Sequence, residues 1–326
     1  MERENIKMES IAVLCSGGDA PGMNAALRAV VRTAIFNGMR IYGIHDGYRG
    51  LIDNDIEELK VSSVSDIMQR GGTVLGSARS ERFRHEEGQQ RAYEVLKEHD
   101  IDGLIVLGGD GSFKGALDLQ EKGMQVIGIP CTIDNDLGYT TYTIGFLTAV
   151  ETVLDAVGRL RDTSSSHGIG VIVEVMGRHC GDIALFAGLA GGAEAVIVPE
   201  VEFDLDELER KITNGEKRGK KHQIIIKAEG VQRTEEICRI LEERTGIDFR
   251  TTILGHVQRG GAPSALDRIL ASRMGSLAVE LLVQKKTGVA IATNGSELHY
   301  VSMEEAVNTP HKFNTEIYRV MRELSI

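Results

Sequence analysis

Three acidic segments, the first two glycine-rich, each follow a short apolar run. In the first, Ser16-Gly17-Gly18-Asp19-Ala20-Pro21-Gly22-Met23-Asn24, glycines without a Cβ let a phosphate approach backbone N–H groups, and a helix opening after them favours the negative charge. The same residues also suit a tight strand–helix turn with no ligand, and their spacing is neither GxGxxG nor GxxxxGK[ST]. In the second, Leu107-Gly108-Gly109-Asp110-Gly111-Ser112, the Asp110 carboxylate could reach Mg2+ while the backbone cradles phosphates. An aspartate there also serves as a helix N-cap or turn former. The third, Pro130-Cys131-Thr132-Ile133-Asp134-Asn135-Asp136, holds two carboxylates two residues apart. They repel, and burial raises that cost unless a metal or a base role uses them. A hydroxyl attacking a γ-phosphate needs a carboxylate to take or orient its proton, and counter-charge for the transition state. An Asx-rich solvated turn is the alternative.

The elements that must position these segments alternate along the chain. Apolar runs predict strands at Ile11–Cys15, Ile41–Ile44, Leu104–Leu107, Val126–Ile129, Gly170–Val175, Ala195–Val198, Gln223–Ala228, Thr251–Leu254 and Val289–Ala292. Helix-length patterns fall between them, among them Asn24–Asn37, Glu87–His99, Thr143–Asp162, Asp206–Arg218 and Pro263–Val283. In the last, Leu266, Ile269, Leu270, Met274, Leu277, Leu281 and Leu282 recur at helical spacing. Such alternation predicts an α/β fold, doubly wound, with mostly parallel sheets covered by helices on both faces. The glycine turns then lie at the carboxyl ends of strands, where open α/β sheets bind ligands. Neither a flexible linker nor a short repeat is present, so two domains would share a tight junction that the chain crosses more than once.

Bulk properties narrow the partners. A chain of 326 residues is long enough for two domains or one large α/β unit. With 38 glycines against 5 prolines and no repetitive tract, the glycines read as tight turns rather than disorder. The net charge of −11 offers no attraction to nucleic acid or an anionic membrane. An anionic substrate must therefore be held by local Arg, Lys and N–H groups. Cys15, Cys131, Cys180 and Cys238 are widely spaced, which argues against zinc ligation and a disulfide framework. The N-terminal MERENIKMES has no apolar signal core, and no apolar run approaches about 18 residues. The chain reads as cytoplasmic.

GGDG also occurs in NAD kinases and lipid kinases, and so points to kinase chemistry without naming a substrate. The full set of motifs is more specific. SGGDAPGMNA, GSAR (Gly76–Arg79), GGDGS, TIDND, RDTSSSH (Arg161–His167), EVMGRHCGD (Glu174–Asp182) and LGHVQRGG (Leu254–Gly261) resemble, in this order, the bacterial ATP-dependent 6-phosphofructokinases. The likeness runs from about Ile11 to Gly275. It implies two α/β domains with the active site in the cleft between them. ATP would sit on residues 1–145 plus about 258–308, and the sugar on about 146–257 plus 309–326. By the resemblance, Gly18, Tyr48, Arg79, Arg84, Asp110, Gly111 and Ser112 line the ATP site, with Asp110 on Mg2+ and Arg79 on the transferring phosphate. Asp134 is the base for the sugar 1-hydroxyl, assisted by Thr132 and Asp136. Met176, Gly177, Arg178 and Glu229 hold the sugar, Arg178 also steadying transition-state charge. Arg250, His256 and Arg259 take the 6-phosphate of fructose 6-phosphate. A dianion in an acidic protein needs such a cationic cluster, although His256 also reads as a core histidine at a strand end.

Departures from the family pattern are informative. Pyrophosphate-dependent relatives resemble GGDDS and PKTIDND, whereas this chain has Gly111 and Cys131 at the two diagnostic positions, so ATP is the expected donor. Cys131 replaces the usual Gly but brings no positive charge. Ile169 stands where bacterial relatives carry an Arg reaching from a neighbouring subunit to the sugar phosphate. The resemblance further implies a homotetramer with sites shared across subunits. An effector site would draw on Arg28, Arg32, Arg161, Glu194, Arg218, Lys220 and Lys221, with Asp55 in place of one expected Arg. Lys217–Lys221 also reads as a solvated charge run. Four other readings are weighed: a pyrophosphate-dependent enzyme; an NAD- or lipid-type kinase, which leaves TIDND and LGHVQRGG unexplained; a nicotinamide oxidoreductase, which lacks its glycine fingerprint; and a non-catalytic sugar-phosphate sensor, which should have lost Asp110, Asp134 or Arg79.

Overall fold

The apolar run Ser10–Cys15 forms strand β1 and is buried at every position, as a strand covered on both faces must be. The computed structural model describes residues 8–325. The other strands are β2 (Arg40–Ile44), β3 (Ile56–Glu58), β4 (Gly103–Gly108), β5 (Gln125–Thr132), β6 (Ile144–Gly145), β7 (Gly170–Val175), β8 (Ala195–Ile197), β9 (Gln223–Ala228), β10 (Phe249–Ile253), β11 (Val289–Asn294) and β12 (Glu297–Ser302). The helices are α1 (Met23–Phe36), α2 (Gly47–Asp53), α3 (Glu86–Glu98), α4 (Asp110–Glu121), α5 (Phe146–His167), α6 (Asp182–Gly191), α7 (Leu205–Lys217), α8 (Thr234–Thr245), α9 (Ala265–Val283), α10 (Met303–Asn308) and α11 (Thr315–Leu324).

The chain divides into two units. One holds the segments through Thr132, Leu137–Gly145 and Arg259–His311; the other holds Ile133–Asp136, Phe146–Gln258 and the segment from Lys312. The first unit contains an eight-stranded sheet of order β12-β11-β5-β4-β1-β2-β3, with β6 attached to β5. Its central pairings are parallel, while β3 on β2 and β12 on β11 are antiparallel. Neither edge strand was expected, because β3 is only three residues long and both face solvent over much of their length. The two-residue loop Gly295-Ser296, with Gly295 at φ 59°, was the available hairpin signal for β12. The helix expected from Thr143 instead starts at Phe146. Ile144 and Gly145 pair with Cys131 and Thr132, and Gly145 sits at φ 104°, outside helical space.

Helix α9 starts at a Ser264 cap, whose hydroxyl accepts from the Asp267 N–H at 3.1 Å; the Asp267 carboxylate accepts from the Gly145 N–H at 3.0 Å. Its buried face includes Met274, Gly275, Ala278, Leu281 and Leu282, while Leu266 and Ile269 are exposed. Gly275 lets α1 pack close: a Cβ there would lie 2.7 Å from the Ala26 carbonyl.

The second unit is an all-parallel sheet of order β10-β7-β9-β8. Ile172 and Ile225 face Leu208 and Ile212 of α7 and Ile237 and Leu241 of α8. The alternate residues Val171, Val173, Ile224 and Ile226 are also buried, on the side where α5 and α6 meet the sheet. No helix among the described residues is long and apolar enough to cross a membrane.

Candidate active site

Parallel register sets the starts of the two glycine turns and of the turn after β5 side by side. Cys15 pairs with Leu107, and Gly108 with Pro130, so β1, β4 and β5 end together. The Ser16 N–H donates to the Leu107 carbonyl at 2.9 Å. Gly108 has no room for a side chain: a Cβ would lie 2.4 Å from Ser112 Oγ and 2.6 Å from the Ser16 carbonyl. Asn24, buried at the start of α1, donates to the Arg70 and Gly71 carbonyls at 3.1 and 3.2 Å and accepts from the Val74 N–H at 2.9 Å. Ser77 donates to the Gly17 carbonyl at 2.6 Å. These bonds fasten the loop that ends at the exposed Arg79 to the first turn.

Asp110 opens α4, and its carboxylate pairs with Lys114 at 2.7 Å. Past it, Gly111 faces open space, since a Cβ there would meet nothing within 4 Å. Thr132 stands across from Gly109, 3.9 Å from where a Cβ would be. One half-exposed carboxylate beside glycine turns suits Mg2+, which keeps waters and shares phosphate oxygens rather than needing a protein cage. Tyr48, expected to line the nucleotide, is instead buried beneath the turn. Its hydroxyl donates to the Ser112 carbonyl at 2.6 Å and its ring stacks on Phe83 at 4.0 Å. Burial pushes that hydroxyl well above its ordinary pKa. Arg84 is exposed and pairs with Glu81 at 3.3 Å.

All four cysteines are buried thiols. Burial pushes Cys15 up to about 11, against a lowering hydrogen bond from Thr73, and pushes Cys131 well above the usual thiol range. Both stay neutral at physiological pH.

In the second unit, Asp134 is 1% exposed and its Oδ2 lies 3.2 Å from Arg178 Nε. Asn135, at φ 54°, donates to Asp182 at 2.9 Å, and Asp136 is half-buried. Met176, Gly177 and Arg178 follow β7. Gly177 has φ 129° and Arg178 φ 54°, a strained conformation for an arginine. It is held by the Arg178 N–H donating to Glu229 Oε1 at 2.8 Å, and by Gly230, where a Cβ would lie 2.3 Å from the Arg178 carbonyl. His256 is exposed in a 3-10 helix, Gly255–Arg259, just past the end of β10.

The other two expected phosphate ligands stand on different elements. Arg259 is packed on the first glycine turn, donating to the Asp19 carbonyl at 3.2 Å, and a Cβ on Gly18 would lie 2.3 Å from its Nη1. Arg250 pairs with Asp248 at 2.6 Å and stands opposite Val171, near the start of β7. The Met176–Arg178 turn follows the other end of that strand, roughly 15 Å away at about 3.3 Å per residue. Ile169 precedes Gly170, at the same end as Arg250.

The expected effector residues are split between the units. Arg28 and Arg32 lie on α1 in the first. In the second, buried Glu194 pairs with Lys220 at 2.5 Å and has His222 at 3.8 Å, while Arg161 donates to the Gly191 carbonyl. Burial, opposed by Glu194, lowers the His222 pKa. Arg218, Lys221 and Asp55 are exposed. Asn24 and Gln258 also anchor these turns, and the available signal for each was a polar residue inside a glycine-rich motif.

Fold and turns define a two-unit α/β protein with kinase-type glycine turns at the ends of parallel strands. The chain belongs to the phosphofructokinase family: its residues 10–282 match the family described as Phosphofructokinase. It is 57% identical over 319 residues to an ATP-dependent 6-phosphofructokinase of Finegoldia magna, covering 98% of this chain and all of the relative. A protein of the same description from Alkaliphilus metalliredigens is 56% identical with the same coverage. Among solved structures, the phosphofructokinase of Saccharomyces cerevisiae superimposes with a TM-score of 0.86 at 35% identity, over 92% of this chain. This chain spans 44% of that yeast chain.

Proposed function

We propose that the protein transfers the γ-phosphoryl group of MgATP to the 1-hydroxyl of fructose 6-phosphate, giving fructose 1,6-bisphosphate and ADP in cytoplasmic glycolysis. The buried Asp134 carboxylate held against Arg178 carries this reading. A carboxylate kept from water and oriented by a guanidinium can take the proton of an attacking hydroxyl. The same guanidinium can then steady charge on the phosphoryl oxygens.

In this reading the first unit binds ATP. Gly18, Gly111 and Ser112 offer backbone to the phosphates, Tyr48 supports them from beneath, and Arg79 and Arg84 supply charge. Asp110 would hold Mg2+, which when bound neutralises charge on the phosphate oxygens. Thr132 and Asp136 orient the phosphoryl group and the metal's water. The second unit binds the sugar through Met176, Gly177, Arg178 and Glu229, and its 6-phosphate through His256, with Arg259 at the nucleotide turn. Arg250 is too far from Arg178 to serve the same sugar, so it is assigned to the site of another copy. This supports a homotetramer with shared sites, as do the exposed Leu266 and Ile269. Arg28, Arg32, Arg161, Glu194, Arg218, Lys220 and Lys221 form the proposed effector site.

A coupled assay with fructose 6-phosphate tests the reaction, run with MgATP and separately with Mg-pyrophosphate. Turnover with ATP is expected; turnover with pyrophosphate alone would reverse the donor assignment, and silence with both would point to a sensor. Gly111→Asp is expected to cut kcat/KM for MgATP by about 100-fold, because a carboxylate beside phosphate oxygens repels them. An unchanged value would remove Gly111 from the nucleotide site. Ile169→Arg is expected to lower the KM for fructose 6-phosphate about 10-fold, a charge-assisted bond contributing about 1.5–3 kcal/mol. No change would show that position 169 does not reach the sugar phosphate.

A further inference from the structure

We infer that Gln258 is a positioning residue that fixes the sugar-binding turn relative to the phosphate-binding helix, an inference that rests on the function proposed above. Gln258 is fully buried, although its neighbours His256 and Val257 are exposed. Its Oε1 accepts from the Met176 N–H at 3.2 Å, and its Nε2 donates to the Gly255 carbonyl at 2.9 Å. One carboxamide thus bridges the turn after β7 and the 3-10 helix after β10.

The bridge starts where the backbone ladder stops. β7 and β10 pair as far as Glu174 and Ile253, and one more bond runs from the Leu254 N–H to the Glu174 carbonyl at 3.0 Å. The Val175 carbonyl is taken by the Glu229 N–H at 2.8 Å. The Met176 N–H comes next, and a buried amide left without an acceptor is costly. Gln258 supplies that acceptor. Only one orientation of the carboxamide serves both partners, since the flipped one would set an NH2 group against an N–H. Bond direction therefore holds the bridge to one geometry.

The two segments it joins carry the proposed sugar contacts, Met176 to Arg178, and the proposed 6-phosphate contact, His256. Gln258 touches no substrate in this scheme. It sets the spacing that a sugar ring and its own phosphate must match. Loss of that spacing should weaken fructose 6-phosphate more than it slows the chemistry. MgATP should be unaffected, because its turns have their own anchors in Asn24, Ser77 and Tyr48.

The test compares wild type with Gln258→Met, which keeps length and approximate volume but makes neither bond, and with Gln258→Glu, which keeps the acceptor for Met176 alone. For Q258M the KM for fructose 6-phosphate is expected to rise about 10-fold, with kcat changed less than about threefold and the KM for MgATP unchanged. For Q258E a smaller rise is expected. A folded Q258M with wild-type KM for the sugar would overturn the inference, and so would a loss of kcat with both KM values intact. Should Q258M fail to fold, Q258E decides by the same criterion, a wild-type sugar KM overturning the role. Amide hydrogen exchange at Met176 provides a readout independent of activity and is expected to quicken in Q258M. If wild type itself shows no turnover, the proposed reaction fails, and the exchange result alone decides whether Gln258 holds the turn: faster exchange supports it and unchanged exchange overturns it.

Discussion

Asp134→Asn should lower kcat about 10²–10⁴-fold, the range supplied by a positioned general base, while fructose 6-phosphate still binds. The asparagine keeps the size of the side chain and leaves a carbonyl oxygen that can accept from Arg178, which lies 3.2 Å away in the native protein. What it cannot do is take a proton. Because Asp134 is itself 1% exposed, bulk water is a poor substitute for the missing base. Steady-state kinetics with a calorimetric titration of the sugar phosphate separates the outcomes. A kcat within tenfold of wild type would remove Asp134 as the base. Loss of sugar binding along with turnover would instead make it a structural partner of Arg178.

A second large effect is expected where β7 pairs with β9. Lys227 is fully buried on β9, its ammonium 3.1 Å from Glu174 Oε2, donating to the Ala228 carbonyl at 3.0 Å and also to the Val231 carbonyl. Thr234 donates to Glu174. Glu174→Ala would leave a cation in the core with only carbonyl oxygens around it. That should cost about 3–5 kcal/mol, the penalty for stranding a buried charge. Lys227→Met removes the charge itself and should cost far less, because the apolar stem already fills the space and Glu174, being partly exposed, can reach water. Urea unfolding followed at the transition of the second unit gives both values. Equal losses in the two variants would mean that ion-pair attraction, not the stranded charge, dominates.

The parallel strands were legible in the sequence because strands buried on both faces read as unbroken apolar runs, as in Leu104–Leu107 and Ile224–Ile226. The edges were not. β3 and β12 are half solvated and lack such runs, and β6 is two residues that a helical pattern absorbs. The glycine turns were legible as turns, since their spacing after strands is local information. Which side chains meet there was not. Asp134 and Arg178 are 44 positions apart, and nothing in either segment encodes their contact. Arg250 shows the limit from the other side. The resemblance implies a phosphate ligand there, and strand pairing places it beside Val171, at the far end of β7 from the Met176–Arg178 turn. The contact of the Arg259 guanidinium with Gly18, 241 positions away, is equally absent from either motif. Partner identity and register arise from long-range pairing, which a single sequence does not display.

The chain changes unit five times, and the first unit's sheet uses strands on both sides of the segment Phe146–Gln258. β5 ends at Thr132, but its neighbour β11 begins only at Val289. During synthesis at about 5–20 residues per second, β5 therefore waits on the order of ten seconds or more for its partner. In that interval it presents an unpaired apolar edge of the kind that recruits other chains. Over the same period the four parallel strands of the second unit are completed, since all lie within Phe146–Gln258. The sheet that starts first is thus the sheet that finishes last, and the burden on chaperones falls on the nascent first unit.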